Sequence, residues 1–123
     1  MKANELMVGD WVRMPFGLPE IRQIKYTSEI DDADFYEPIP LTTEILERNG
    51  FKEISGDDDI YQLEEKPFWF WVDFMNHQYG CEFDTSTYEC ESSEHRLKLY
   101  GIPSVNELQH ALKLCGIEKN IEL

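Results

Sequence analysis

The stretch PFWFWVDF, residues 67–74, decides the fold, because five of its eight side chains are aromatic. Successive side chains of a β-strand point to opposite faces, so an extended segment here has two different faces. The phenylalanine face carries Phe68, Phe70, Val72 and Phe74, and the tryptophan face carries Trp69, Trp71 and Asp73. We expect the phenylalanine face to line the core. The tryptophan face is either covered by the N-terminal part of the chain or exposed as a groove or interface.

Two neighbouring segments extend this strand into an antiparallel meander. In IYQL, residues 60–63, alternation places Tyr61 and Leu63 on one side. In QYGCEFDTSTYECE, residues 78–91, a two-residue turn at Thr85–Ser86 would set Cys81 opposite Cys90. The pattern of that hairpin is self-consistent, although its turn lacks the favoured Asn-Gly pair.

Two helices carry start and stop signals. Thr42 is a capping residue before a short helix at 43–49, and Leu41 and Leu46 occupy hydrophobic staple positions. Gly50 can adopt the left-handed conformation that ends the helix. Ser104 and Glu107 form a capping box before a second helix at 104–115, which Gly116 ends. Its apolar stripe consists of Val105, Leu108, Ala111, Leu112 and Cys115.

The N-terminal part predicts short strands at 10–14 and 20–26, a polar loop at 27–34 and an extended segment at 35–39. The fold class is therefore α+β: a small N-terminal β lobe, a central meander, one short internal helix and a C-terminal helix packed on the sheet. At 123 residues, we expect a single compact domain spanning 1–123, with sub-lobes at 1–40 and 41–123.

The net charge of −14 is concentrated in the middle of the chain. Residues 27–94 carry three basic and nineteen acidic side chains, a net −16. Such a region repels phosphate backbones, which argues against direct nucleic-acid binding and for a protein partner or imitation of nucleic acid. The start has no apolar signal core and no run is long enough to cross a bilayer, so we expect a cytoplasmic protein without membrane contact. A homodimer is compatible with these features.

Candidate sites are few. His77, Cys81 and Cys90 could bind zinc or serve a small hydrolytic domain, although both cysteines also suit a core. Trp69 and Trp71 could stack on sugar rings or hold a peptide, and Asp57, Asp58 and Asp59 could contact a partner. No phosphate-binding glycine loop or nucleophile motif is present, so we predict a non-enzymatic interaction protein without a cofactor.

Several phrases occur together in a recognisable order: KANEL at 2–6, GDWV at 9–12, EPIPLTTEILERNGF at 37–51 and VNELQHAL at 105–112. Together they resemble a group of small uncharacterised proteins of phages, prophages and mobile elements of gut-dwelling anaerobic bacteria. In the closing phrase, Asn106 stands where the resemblance leads us to expect a histidine. The resemblance implies a phage or mobile-element setting and no particular chemistry. The opening phrase is also similar to the start of small SH3-like barrels, at the level of fold alone.

Overall fold

A computed structural model describes residues 1–15, 21–54, 59–65, 68–83 and 97–123. Within these ranges the chain forms two antiparallel sheets and a small number of helices, so the predicted α+β class is confirmed. The chain divides into two compact units. Unit 1 comprises Met1–Pro40 with Pro103–His110, and unit 2 comprises Leu41–Ile102 with Ala111–Leu123.

Unit 2 is built on a five-stranded antiparallel meander. Its strands follow one another in chain order and each pairs with the next. They are β3 (Lys52–Glu53), β4 (Ile60–Glu65), β5 (Phe68–Asp73), β6 (Gln78–Phe83) and β7 (Leu97–Tyr100). The strand β5, which contains the aromatic stretch, is the central one.

One face of this sheet forms the core of unit 2, and it is the phenylalanine face. Phe70 and Val72 are fully buried, and Phe70 contacts Phe51 edge to face, with ring centroids 6.2 Å apart. Neighbouring strands contribute further buried side chains to the same face: Tyr61, Leu63, Tyr79 and Cys81. Burying a side chain the size of phenylalanine stabilises a fold by about 1.5–3 kcal/mol, so this face anchors the sheet.

The predicted pairing that sets Cys81 opposite Cys90 is wrong. In the sheet, Cys81 lies opposite Phe70 on β5 and opposite Leu97 on β7. A strand residue has only two lateral neighbours, so no position beside Cys81 remains for Cys90. The predicted turn at Thr85–Ser86, and Cys90 itself, lie outside the described residues.

The short helix α1 (Thr43–Arg48) has the ends that the sequence predicts. The side chain of Thr42 accepts a hydrogen bond from the backbone N–H of Ile45. At the other end Gly50 has φ of +88°, and the N–H of Phe51 returns to the carbonyl of Leu46 at 3.0 Å. This is the six-to-one bond of a Schellman motif.

The C-terminal helix α2 (Val105–Leu114) is also closed at both ends. Glu107 accepts hydrogen bonds from the backbone N–H and the hydroxyl of Ser104. Gly116 has φ of +76°, and the N–H of Ile117 donates to the carbonyl of Leu112. Just beyond the helix, the buried Cys115 thiol lies beside the buried Cys81 thiol of β6.

Unit 1 contains a two-stranded antiparallel sheet of β1 (Trp11–Arg13) and β2 (Ile21–Gln23). A bridge between Arg13 and Glu37 adds the extended segment before Pro38. Its core is a cluster of Leu6, Val12, Ile24, Ala33 and Tyr36. The likeness to an SH3 barrel stays a prediction.

The segment predicted as a polar loop is helical. Residues Thr27–Phe35 form 3₁₀ turns with a kink at Asp32. The Glu29 side chain accepts hydrogen bonds from the N–H groups of Lys25 and Tyr26, and the Tyr36 hydroxyl donates to the Glu29 carbonyl at 2.8 Å. These hydrogen bonds hold the 3₁₀ turns together. The pattern of apolar residues does not predict such turns, because the residues that make the bonds are polar.

No helix in the described part of the chain is both long and apolar enough to cross a bilayer.

Replacement of Gly50 tests the left-handed end of α1. A Cβ at this position would lie 3.5 Å from the nearest heavy atom, the Nζ of Lys119, so the substitution meets strain in the backbone and not a steric clash. We expect Gly50→Ala to lower the free energy of unfolding by about 1 kcal/mol in urea denaturation. Asparagine tolerates the left-handed region better, so Gly50→Asn should lose less. Equal losses in the two variants would contradict this explanation.

Candidate functional site

The tryptophan face of the five-stranded sheet presents its side chains in rows across the strands. In one row, Trp69 stands between Glu64 of β4 and Glu82 of β6. In the next, Trp71 stands between Gln62 and Gly80, with Lys98 of β7 beyond Gly80. Neighbouring strands lie about 4.8 Å apart, so each tryptophan is within side-chain reach of both partners in its row.

This face is polar and partly open to solvent, unlike the phenylalanine face. Both tryptophans are half-buried, Glu82 and Gln62 are half-buried, and Glu64 is exposed. Gly80 has no side chain and is nevertheless buried, so atoms of its neighbours cover its backbone. The tryptophan face is therefore neither fully buried nor fully exposed.

Neither indole N–H of Trp69 and Trp71 has a hydrogen-bond acceptor in the described ranges. A tryptophan that is largely buried normally satisfies this donor within the protein. Two half-buried indoles with unused donors, side by side on a central strand, are typical of surfaces that contact another molecule.

One end of the tryptophan face is fixed by Asp73. Its Oδ1 accepts the N–H groups of Met75 and Asn76 at 3.0 Å, and its Oδ2 accepts the Asn76 side chain at 2.8 Å. Burial raises the pKa of this carboxyl, but hydrogen bonds from Asn76, Met75 and Gln78 outweigh it and hold the pKa below its ordinary value. Asp73 therefore holds the β5–β6 turn as a carboxylate.

An exposed aromatic group lies on this face beside the turn. Tyr100 pairs with Gln78 across β6 and β7 and is 80% exposed, with the Lys98 ammonium 5.8 Å from its ring centroid. Met75, in the turn itself, is also exposed. The surface around the tryptophans thus continues to the edge strand.

The residues of the zinc hypothesis occupy different environments. His77 is exposed in the β5–β6 turn with φ of +52°, whereas Cys81 is buried on the phenylalanine face. Cys81 contacts Cys115. Burial raises the pKa of the Cys115 thiol, and the neighbouring Cys81 raises it further. No group of three or more His, Cys, Asp or Glu side chains within the described ranges could hold a metal ion. Because Cys90 lies outside those ranges, the zinc and hydrolytic hypotheses stay predictions.

Of the three acidic candidates for partner contact, the structure describes one. Asp57 and Asp58 lie outside the described residues, and Asp59 is half-buried. The Asp59 carbonyl accepts a hydrogen bond from the N–H of Phe74 at 2.8 Å, which ties this residue to the end of β5.

A buried polar cluster in unit 1 was not predicted. The Gln109 side chain accepts the N–H of Trp11 at 2.9 Å and donates to the Gly9 carbonyl at 2.8 Å. Beside it, the Nε2 atom of His110 lies 2.7 Å from Oδ2 of Asp10, a fully buried carboxylate that also accepts the N–H of Met7. The signal was present: Asn106, Gln109 and His110 have helical i, i+3, i+4 spacing beside the apolar stripe.

Comparisons with known proteins add no identity. No protein-family model matches the chain, and neither the curated proteins nor the solved structures give a match.

The charge on Asp73 should appear in the pH dependence of stability. A carboxyl whose pKa is lowered on folding stabilises the fold above its unfolded value near 3.8, and this contribution is lost as pH falls through the folded pKa. Asp73→Asn keeps the size and shape of the side chain but removes its charge. We therefore expect the free energy of unfolding to be about 1–2 kcal/mol lower than in wild type at pH 7, and to fall less steeply between about pH 5 and 2. Urea denaturation across this range measures both; parallel curves for variant and wild type would contradict the assignment.

Proposed function

We propose that this chain is a non-enzymatic interaction protein of a phage or mobile element, and that its tryptophan face binds a positively charged segment of a protein partner. The observation that carries the proposal is the row in which Trp69 stands between Glu64 and Glu82. The setting is supported by the resemblance of the opening, first-helix and closing phrases.

The chemistry of this row favours a cation. The face of an indole attracts an ammonium or guanidinium group, with a contribution of about 0.5–2 kcal/mol that increases as water is excluded. Carboxylates on both sides of the ring add charge-assisted hydrogen bonds, which are stronger than neutral ones. Arginine suits such a site best, because its planar group stacks on the ring and keeps its edge donors available to the carboxylates.

The composition of the chain agrees with a basic partner. The net charge of −14 creates a negative potential that attracts a cationic segment and repels nucleic acid. Partner and surface are therefore electrostatically complementary, which increases the association rate and the selectivity more than the affinity.

A peptide titration tests the tryptophan face directly. The probe is acetyl-Ser-Arg-Ser-Arg-Ser-amide, with a peptide in which citrulline replaces arginine as the uncharged analogue, and tryptophan emission reports binding. We expect the arginine peptide alone to change the emission. Its Kd should rise at least about fivefold in Trp69→Leu and in Glu64→Gln/Glu82→Gln. Leucine keeps an apolar side chain, and glutamine keeps the length of glutamate.

The matched control is Glu44→Gln/Glu118→Gln, which removes the same charge from exposed positions outside this face. If it weakens binding as much as Glu64→Gln/Glu82→Gln, the net charge and not the tryptophan face attracts the peptide. An emission change with chitotetraose, and none with either peptide, would replace this proposal with sugar binding by Trp69 and Trp71.

A further inference from the structure

The tryptophan face carries a positive charge as well as negative ones, and the two signs occupy different rows. Lys98 of β7 pairs with Gly80, and Gly80 pairs with Trp71 of β5, so the lysine side chain lies on the same face as the indoles. Lys98 is exposed. The row that contains Glu64 and Glu82 is therefore followed by a row that ends in a lysine. A ligand that covers both rows meets opposite charges in the two.

The position of the Lys98 ammonium shows which charge it receives. It lies 5.8 Å from the centroid of the Tyr100 ring, where the ring attracts it by a cation–π contact. A second cation, brought to this ring by a ligand, would be repelled by the ammonium already there. A carboxylate would be attracted, because a hydrogen bond between an ammonium and a carboxylate is charge-assisted. The exposed Tyr100 hydroxyl is a further donor at the same edge of the sheet.

The distance between the two charged rows matches four residues of an extended peptide. Lys98 lies two strands from β5, about 9.6 Å, and one row beyond Trp69, about 6.6 Å along the strand. The diagonal is therefore about 12 Å. In an extended peptide, side chains at i and i+4 point the same way and are about 13 Å apart. Side chains at i and i+2 reach only about 6.6 Å, and those at i and i+3 point to opposite sides.

The diagonal crosses β6 where few side chains rise above this face. It passes between Glu82 and Gly80, because the residue between them, Cys81, is buried on the phenylalanine face. Gly80 is covered by its neighbours but adds no side chain of its own. A glycine inside a strand is typical of places where another backbone approaches closely. The main chain of an extended ligand can therefore cross the sheet here.

We infer that the partner segment is extended and bipolar. Its arginine lies on Trp69, and an aspartate or glutamate four residues away pairs with Lys98. This inference rests on the arginine site proposed above and adds the second residue by which the face selects its partner. An uninterrupted run of arginine and lysine is a poorer ligand, because such a segment brings a cation to Lys98.

The test titrates the full chain with two short peptides and follows tryptophan emission. The probes are acetyl-Arg-Ser-Ser-Ser-Glu-amide and the reversed acetyl-Glu-Ser-Ser-Ser-Arg-amide, since side-chain contacts alone do not set the direction of the segment. The tighter of the two is compared with its analogue in which glutamine replaces glutamate. General attraction to a chain of net charge −14 predicts tighter binding of the more cationic glutamine analogue. The inferred pair with Lys98 predicts binding about threefold weaker.

Substitutions at Lys98 identify the group that recognises the acid. Lys98→Gln should raise the Kd of the glutamate peptide about threefold and should not raise that of the glutamine analogue. Lys98→Arg keeps the charge and should keep the affinity. The matched control is Lys25→Gln, which removes the same charge from an exposed position in unit 1 and should leave the Kd unchanged.

The spacing is tested with an isomer, acetyl-Ser-Arg-Ser-Glu-Ser-amide or its reverse, which has the same composition but places the charges two residues apart. It should bind about threefold more weakly than the probe. Equal binding of the isomer, equal or tighter binding of the glutamine analogue, or equal effects of Lys98→Gln and Lys25→Gln would each overturn the bipolar segment. If Trp69→Leu still weakens binding in such a case, the arginine site itself stands. An absence of any emission change with all these peptides would overturn both proposals.

Discussion

The alternation of side chains along β5 is the constraint on which unit 2 depends. Phe70 and Val72 are fully buried on one side, and this fixes the direction of every other side chain in the strand. A slip of one residue would bring the tryptophans into the core and move the phenylalanines to the other face. The positions of Trp69 and Trp71 beside Gln62, Glu64 and Glu82 thus follow from the core, and the tryptophan face requires no irregular backbone.

Unit 1 combines its apolar core with a buried polar cluster. The side chain of Gln109 connects the Gly9 carbonyl to the Trp11 N–H, and Gln23 donates to the same carbonyl at 3.1 Å. The two bonds of Gln109 fix the start of the chain relative to α2 within this unit, and the bond of Gln23 fixes it relative to β2. Such clusters specify one arrangement because any other leaves buried polar groups unpaired. Asp10 departs from the pattern, since its Oδ1 has no partner among the described residues.

Local signals in the sequence predicted most of the fold. The caps of both α-helices, the buried side of β5 and the meander all follow from residue types at fixed spacings. The predicted register failed at Cys81, which lies opposite Leu97, because alternation is satisfied equally well by any register of the same parity. The contact between His110 and Asp10 was not predicted, because these residues are 100 positions apart and meet only in the folded chain. The exposure of Trp69 likewise depends on what the rest of the chain covers.

Added salt should change the stability of the free chain and its affinity for a cationic partner in opposite directions. With a net charge of −14, repulsion among the carboxylates opposes compaction of the free protein, and added salt screens that repulsion. The same screening weakens attraction between Glu64 or Glu82 and a cationic partner. Stability of the free chain should therefore rise with salt while affinity for an arginine peptide falls. A bound partner also stabilises the fold by mass action, so the stabilisation caused by the peptide should decrease as salt increases.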